Sequence, residues 1–193
     1  DLALMEACFA TPEGPEAMTD VVRRMQRLFA RLESAPVVTL AEIATTALGG
    51  GFELALACDL RIAAREAKLG LPEARLGLLP GAGGTQRLTR LVGPGLARRL
   101  ILGAEVLDGA EAERLGLVQW ARPAEDLAAF ARDVAGRYAA LPKAALAANK
   151  RCIAAVAEAS RDGFAEEVAE TRALYDHPET RQKVADFLAR RTR

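Results

Sequence analysis

Apolar positions near the start of the chain recur at helical spacing and then give way to a continuous run. Met18, Val21, Val22, Met25, Leu28, Phe29 and Leu32 share one face of a helix over 16–33, with Arg23, Arg24, Arg27 and Arg31 interleaved. That is the pattern of an amphipathic helix. Pro36 then opens Val37-Val38-Thr39-Leu40-Ala41, a β-branched run suited to a strand covered on both faces. After three glycines, Phe52 to Cys58 reads as a short helix, Leu60 to Ala64 as the next strand, and Lys68 to Leu71 as a short extended piece before Pro72. Helix, strand, helix, strand in that order predicts right-handed crossovers and a sheet with parallel pairs.

Beyond residue 83 the period is helical. Gly84 to Val92, Pro94 to Leu102 and Gly109 to Leu115 read as successive helices, the last with Asp108 as its N-cap. Val118-Gln119-Trp120 reads as a short strand. Helical spacing then runs through 124–140, 142–157, 161–175 and 178–191, with Pro142 and Pro178 at helix starts, where the missing N–H is harmless. An Ala-rich helical half of this kind is expected to bury its apolar faces against neighbouring subunits. The chain thus divides into an α/β part, 1–122, and a helical part, 123–193. No internal repeat is present, and the Ala-rich tracts are helical in pattern rather than low-complexity.

Composition narrows the partners. With 193 residues, 51% of them apolar and 27% charged, the chain can build a core of ordinary size in one main domain. Lys plus Arg and Asp plus Glu both number 26, which argues against a nucleic acid held on a broad basic surface. A local basic patch for one anionic ligand stays open. Cys8, Cys58 and Cys152 are scattered and His177 is the one histidine, so neither a disulfide framework nor a zinc pattern emerges. Cys58, inside an apolar run, is expected to be a buried small hydrophobe. No Cys–His or Ser–His pair suggests a nucleophilic triad. No apolar run approaches the roughly 20 residues of a membrane span, and no signal peptide is visible, although the beginning of the chain looks incomplete. A cytoplasmic protein with no membrane partner is expected.

Two features carry chemistry. Gly49-Gly50-Gly51 lies between a strand and a helix, where glycines let the backbone turn and leave N–H groups uncovered. At a helix N-terminus those groups have no intrahelical acceptor and suit an anion, including one formed only in a transition state. Taken alone, the triplet favours a tight turn with close packing, because glycine-rich turns are common. Neither a dinucleotide fingerprint nor a P-loop fits Gly49 to Glu53 or Pro80 to Gln86. Glu53 lies in the first turn of an apolar helix, where the dipole alone would favour it. Glu73 follows Pro72 in a loop, where it could simply be solvated. Brought together, the two carboxylates could hold a water and pass protons.

The ordered series Ala47-Leu48-Gly49-Gly50-Gly51-Phe52-Glu53-Leu54-Ala55-Leu56-Ala57-Cys58-Asp59, Ala67-Lys68-Leu69-Gly70-Leu71-Pro72-Glu73 and Leu76-Gly77-Leu78-Leu79-Pro80-Gly81-Ala82-Gly83-Gly84-Thr85-Gln86-Arg87-Leu88 resembles the crotonase (enoyl-CoA hydratase/isomerase) superfamily. The similarity is dense over 36–120 and collinear to the end. It implies a crotonase-like ββα spiral core of which the first strands are absent, followed by a C-terminal helical trimerisation region. It also implies that the Gly50 N–H is one of two oxyanion-hole donors to a thioester carbonyl, and that Glu53 and Glu73 hold and activate water. Asp1-Leu2 resembles the end of the segment carrying the other donor, which would be the residue before Asp1.

Substrate or CoA contacts are implied at Asp1, Leu2, Leu48, Gly49 and Pro72. Phe187-Leu188-Ala189-Arg190-Arg191 resembles the family's C-terminal ending, which implies that Phe187 and Arg190 approach the CoA adenine and phosphates; a plain cationic helix end is the other reading. One departure is local: Val37 to Leu48 is about two residues longer than the family's usual strand and loop, with Ala44-Thr45-Thr46 where a glycine is common. The activity implied is syn hydration of 2-trans-enoyl-CoA, in fatty-acid or related acyl-CoA degradation, with no metal and no redox cofactor and with coenzyme A as part of the substrate. A 3,2-enoyl-CoA isomerase or other crotonase reaction is the alternative. A catalytically inactive crotonase-fold binding protein, or an RNA-associated member, is the reading from another class. A homotrimer or homohexamer is expected.

Overall fold

Among the described residues six short strands form two sheets, and their pairing decides where each begins. The structure, a computed structural model, describes residues 7–8, 10–158 and 160–191. Strands β1 (Leu40–Ile43), β3 (Leu60–Ala64) and β6 (Trp120–Arg122) form one parallel sheet in the order β1-β3-β6. Strands β2 (Thr46–Leu48), β4 (Lys68–Gly70) and β5 (Val106–Asp108) form the other, with β2 parallel and β5 antiparallel to β4. The expected parallel pairs are present, and one antiparallel pair joins them.

The first strand differs from its expected span. Val37 and Val38 lie outside it and β1 runs on to Ile43, because its partner β3 starts at Leu60 and the register is Leu40 with Leu60. A clamp fixes that start: Asp59 Oδ2 accepts from Thr39 N at 2.7 Å and Thr39 Oγ1 at 2.9 Å. The next two residues, Ala44 and Thr45, carry the chain from one sheet to the other, so the long segment 37–48 supplies a strand to each. The strand expected at Val118–Trp120 begins only at Trp120. Val118 turns into the core at 2% exposure instead, and Gln119 meets Arg61 through its side chain, its Oε1 accepting from Arg61 N at 2.8 Å.

Helix α1 (Gly14–Glu33) is the expected amphipathic helix. Its Phe29 packs on Ala57 and Ala82, with Met25 and Leu32 alongside, while Leu28 stays exposed. Helix α2 (Gly50–Leu56) follows the glycines, and a 3-10 turn spans Glu73–Leu76. Helix α3 (Gly84–Leu102) is interrupted at Gly93, next to Pro94, at the boundary the sequence pattern predicts between two helices. Asp108 caps α4 (Gly109–Arg114) as expected, accepting from Glu111 N at 2.8 Å. Helices α5 (Ala124–Ala139), α6 (Lys143–Ala155), α7 (Gly163–Asp176) and α8 (Pro178–Arg191) complete the chain. Phe52, Ile62, Leu69, Leu71, Leu88 and Leu117 are fully buried. Cys58, expected in the core, is half-buried, because it follows the last turn of α2 and its sulfur faces Leu54 O.

By its contacts the chain forms two units, 1–33 with 39–128, and 34–38 with 129–193. Within the second, Arg151 and Glu170 tie α6 to α7, and Asp162 caps α7 by accepting from Phe164 N and Ala165 N. Ile153, Phe164, Val168 and Tyr175 are exposed there.

Candidate active site

Two parallel neighbours, β2 and β4, end side by side, with Leu48 in register with Gly70. The ladder extends one step further through Gly49 N, which donates to Gly70 O at 3.0 Å. At Gly49 the backbone then turns through φ 53° and ψ −127°, a conformation that disfavours any residue with a Cβ. Phe52 N and Glu53 N both donate to Gly49 O at 2.9 Å and close the first turn of α2. The N–H groups of Gly50 and Gly51 precede that turn and have no acceptor within the helix. From the end of β4 the chain passes through Leu71 and Pro72 to Glu73. Neighbouring strand ends therefore deliver both glutamates to one place. Glu73 Oε1 lies 3.1 Å from where a Cβ on Gly49 would stand, and Glu53 Oε2 lies 4.0 Å from the same point on Gly50. The carboxylates lie against the Gly49–Gly50 backbone.

Their environments differ. Glu53 is only 3% exposed, yet its Oε1 accepts from Ala82 N and Gly84 N, both at 2.8 Å. Gly84 opens α3, so Glu53 sits in the first turn of one helix and against the N-terminus of another, where both dipoles favour its charge. Burial pushes its carboxyl above the ordinary value, and the Gly84 and Ala82 N–H groups and the Arg87 guanidinium oppose that rise. Its role goes beyond that of a helix-stabilising first-turn acid, because it holds the Pro80–Gly84 loop. Glu73 opens the 3-10 turn and is half-buried rather than solvated. Its Oε2 is buried with no hydrogen-bond partner. Burial pushes this carboxyl up too; its own N–H opposes the rise and the charge of Glu53 adds to it.

Gly49, Gly50, Glu53, Pro72 and Glu73 thus lie together, and Leu48 precedes them on β2, partly exposed. Asp1 and Leu2 lie outside the described residues. Phe187 and Arg190 fall on α8, whose backbone is described there but not their side chains. Ala82, Gly84 and Arg87 were legible only as part of the glycine-rich motif, not as partners of Glu53. The clue available was a helix start, whose first N–H groups need acceptors from elsewhere in the chain. Met25, one apolar position among several on the α1 face, has its Cε 3.0 Å from a Cβ on Gly50 and walls the site from the α1 side. Arg61 carried no signal. It is buried, and donates to the carbonyls of Leu117 at 2.8 Å, Cys58 at 2.8 Å and Ala55 at 3.2 Å, which fastens the end of α2. Among the described residues no group of His, Cys, Asp and Glu is placed to hold a metal ion, and no helix is long and apolar enough to cross a membrane.

The chain matches known proteins in sequence and in fold. The family model described as enoyl-CoA hydratase/isomerase matches residues 9–192. Mouse enoyl-CoA hydratase domain-containing protein 2, mitochondrial, is 49% identical over 139 residues, covering 68% of this chain and 47% of that protein. Crotonyl-CoA hydratase of Syntrophomonas wolfei is 48% identical over 112 residues, covering 58% of this chain and 43% of the relative. The chain thus spans about half the length of the curated relatives it matches. Among solved structures, an enoyl-CoA hydratase from a Polaromonas species superposes with a TM-score of 0.90 at 28% identity, over 98% of this chain and 74% of that one. One from Bacillus anthracis gives 0.87 at 34% identity, over 91% and 68%. The strand-end glycines, the paired glutamates and a match that runs nearly from end to end lead to one conclusion: the chain belongs to the enoyl-CoA hydratase/isomerase family and has the crotonase fold.

Proposed function

We propose that the protein hydrates 2-trans-enoyl-CoA thioesters to 3-hydroxyacyl-CoA by syn addition of water, without metal or redox cofactor. The observation that carries this reading is the placement of two carboxylates by adjacent strand ends against the Gly49–Gly50 backbone. The Ala82 and Gly84 N–H groups engage Oε1 of Glu53 and favour its ionised form, leaving Oε2 to take a proton from water. Glu73, whose buried Oε2 lacks a partner and faces the charge of Glu53, favours the protonated form and delivers its proton to C2 as the water oxygen bonds C3. The charge that develops on the thioester oxygen meets the Gly50 N–H, and one such donor is worth on the order of 3 kcal/mol. Proton return from Glu53 to Glu73 through the next water resets the site.

Coenzyme A enters with the substrate, with Leu48, Gly49 and Pro72 as candidate contacts; the family resemblance alone adds Phe187 and Arg190, from the same or a neighbouring subunit. The exposed apolar side chains of α6 and α7 support a homotrimer or homohexamer; a cytoplasmic location belongs to the same proposal. The test is to follow the conjugated thioester absorbance of crotonyl-CoA and a long-chain 2-enoyl-CoA after adding purified protein. Loss of absorbance with both or either supports the reading; none with either overturns it. Isomerisation of a 3-enoyl-CoA is the second reading and needs one carboxylate only, so it expects Glu53→Gln to stay active while Glu73→Gln does not. The two backbone donors converging on Glu53 favour hydration.

A further inference from the structure

Arg87 stands in the first turn of α3, and its guanidinium reaches back over the loop that precedes the helix. Nη1 donates to Ala82 O at 3.1 Å, while Nε and Nη2 donate to Glu33 Oε2 at 3.1 and 2.9 Å. Glu33 is the last residue of α1. The side chain of Arg87 is 12% exposed, and its partner is 47% exposed. The carbonyl it holds belongs to the Ala82–Gly83 peptide. That peptide lies between the two, Gly81–Ala82 and Gly83–Gly84, whose N–H groups meet Glu53 Oε1. Three successive peptide planes therefore point alternately: N–H to Glu53, C=O to Arg87, N–H to Glu53. The guanidinium occupies the space a side chain on Gly83 would need, with Nη1 2.2 Å from that Cβ position, and Gly83 has φ 109°. Only a glycine there admits both the turn and the cation.

We propose that Arg87 is a positioning residue: tied to Glu33, it holds the Ala82 carbonyl and so sets the loop that sends the Ala82 and Gly84 N–H groups to Glu53. The link to turnover rests on the assignment of Glu53 as the water-activating base; the control of Glu53 by Arg87 does not. Among the charged groups, Arg87 from α3 favours the ionised form of Glu53; the Glu73 carboxyl of the 3-10 turn lies near it and is itself pushed up by the charge of Glu53. Glu33 lies behind Arg87, α1 presents the uncharged Met25, and α2 adds no other charge. Arg87 thus acts on Glu53 both by geometry and by charge, and Arg87→Lys separates the two, since an ammonium keeps the charge without the fork.

The experiment has two readouts on the parent, Arg87→Gln, Arg87→Lys and Glu33→Gln. The first is kcat and KM for a 2-enoyl-CoA across pH. The second is a carbon-13 NMR titration of the Glu53 carboxyl without substrate, assigned with Glu53→Gln. Arg87→Gln is expected to lower kcat on the order of tenfold to a hundredfold with KM changed less than about twofold. Its acid limb and its Glu53 midpoint both move to higher pH. Arg87→Lys and Glu33→Gln show smaller changes in the same direction, and the half-exposed Glu33 keeps the test open if Arg87→Gln fails to fold. Glu53 midpoints that match the parent in all three variants overturn the proposal, as does a loss confined to KM. A parent without turnover whose Glu53 midpoint still moves in Arg87→Gln refutes the base assignment and upholds the control by Arg87.

Discussion

Replacing Glu73 by Gln should stabilise the protein at neutral pH while disabling it. Glu73 Oε2 is buried without a partner, and burial and the nearby Glu53 push the carboxyl above its ordinary value. A carboxyl raised on folding contributes stability that is present below its unfolded pKa and lost as the pH climbs through the folded one. At pH 8 the native state therefore either holds the charge unfavourably or keeps a proton that the unfolded chain has released, and Gln, of the same shape, incurs neither cost. An unsatisfied buried polar group costs about 1–3 kcal/mol. Since Glu73 is only half-buried, solvent screening reduces the expected gain to roughly 1 kcal/mol, or roughly 2–4 °C in Tm for a chain of this size. Scanning calorimetry of both proteins from pH 8 down to about 4.5 should show the gap closing as the parent takes up its proton. Hydration of crotonyl-CoA should fall by on the order of a thousandfold. A variant no more stable than the parent at pH 8, or a gap that persists undiminished at the acid end, refutes the reasoning.

Three further outcomes are expected. In Gly84→Ala the added Cβ would stand 2.9 Å from Pro80 Cβ and 3.0 Å from Glu53 Oε1, so the loop must shift; steady-state kinetics should show kcat reduced on the order of tenfold or more. Arg61→Ala leaves a cavity and three carbonyls without their donor, and urea unfolding should report a loss of about 3–5 kcal/mol. The kcat profile of the parent should be bell-shaped: activity falls on the acid side as Glu53 protonates, at a pH above the usual carboxylate range because burial outweighs its backbone donors, and on the alkaline side as Glu73 loses its proton. A single flat profile from pH 5 to 9 would contradict that assignment.

Long periodic segments were legible in the sequence because their signal is local. The amphipathic face of α1, the break at Gly93, the Asp108 cap and the whole of β3 follow from spacing and turn chemistry within a few residues. β2 and β5 did not show, because three residues in each leave no period to read and pairing with β4 alone defines them. The same limit moved β1 downstream, since its start is set by the Asp59 clamp some twenty residues away in sequence. At the site, Gly49, Gly50 and Glu53 stood out as a cluster, and Glu73 joined them only through the family resemblance. The meeting of Glu53 and Glu73 depends on β2 and β4 being parallel neighbours, which spacing alone does not encode. Ala82 and Gly84 act through backbone N–H groups, which no side chain advertises. Arg61 and Arg87 look like ordinary surface arginines until the carbonyls they hold are seen.

The most direct test of the central claim, that Glu53 and Glu73 together add water across the double bond, is an isotope measurement. Crotonyl-CoA is incubated with the parent, Glu53→Gln and Glu73→Gln in deuterated water enriched in oxygen-18, and the product is read by mass spectrometry and proton NMR. The account predicts one solvent oxygen at C3 and one deuterium at C2, added to the same face by the parent, with both variants reduced by on the order of a hundredfold or more. Product that forms at the parent's rate in either variant, or deuterium entering C2 with no oxygen at C3, would contradict it.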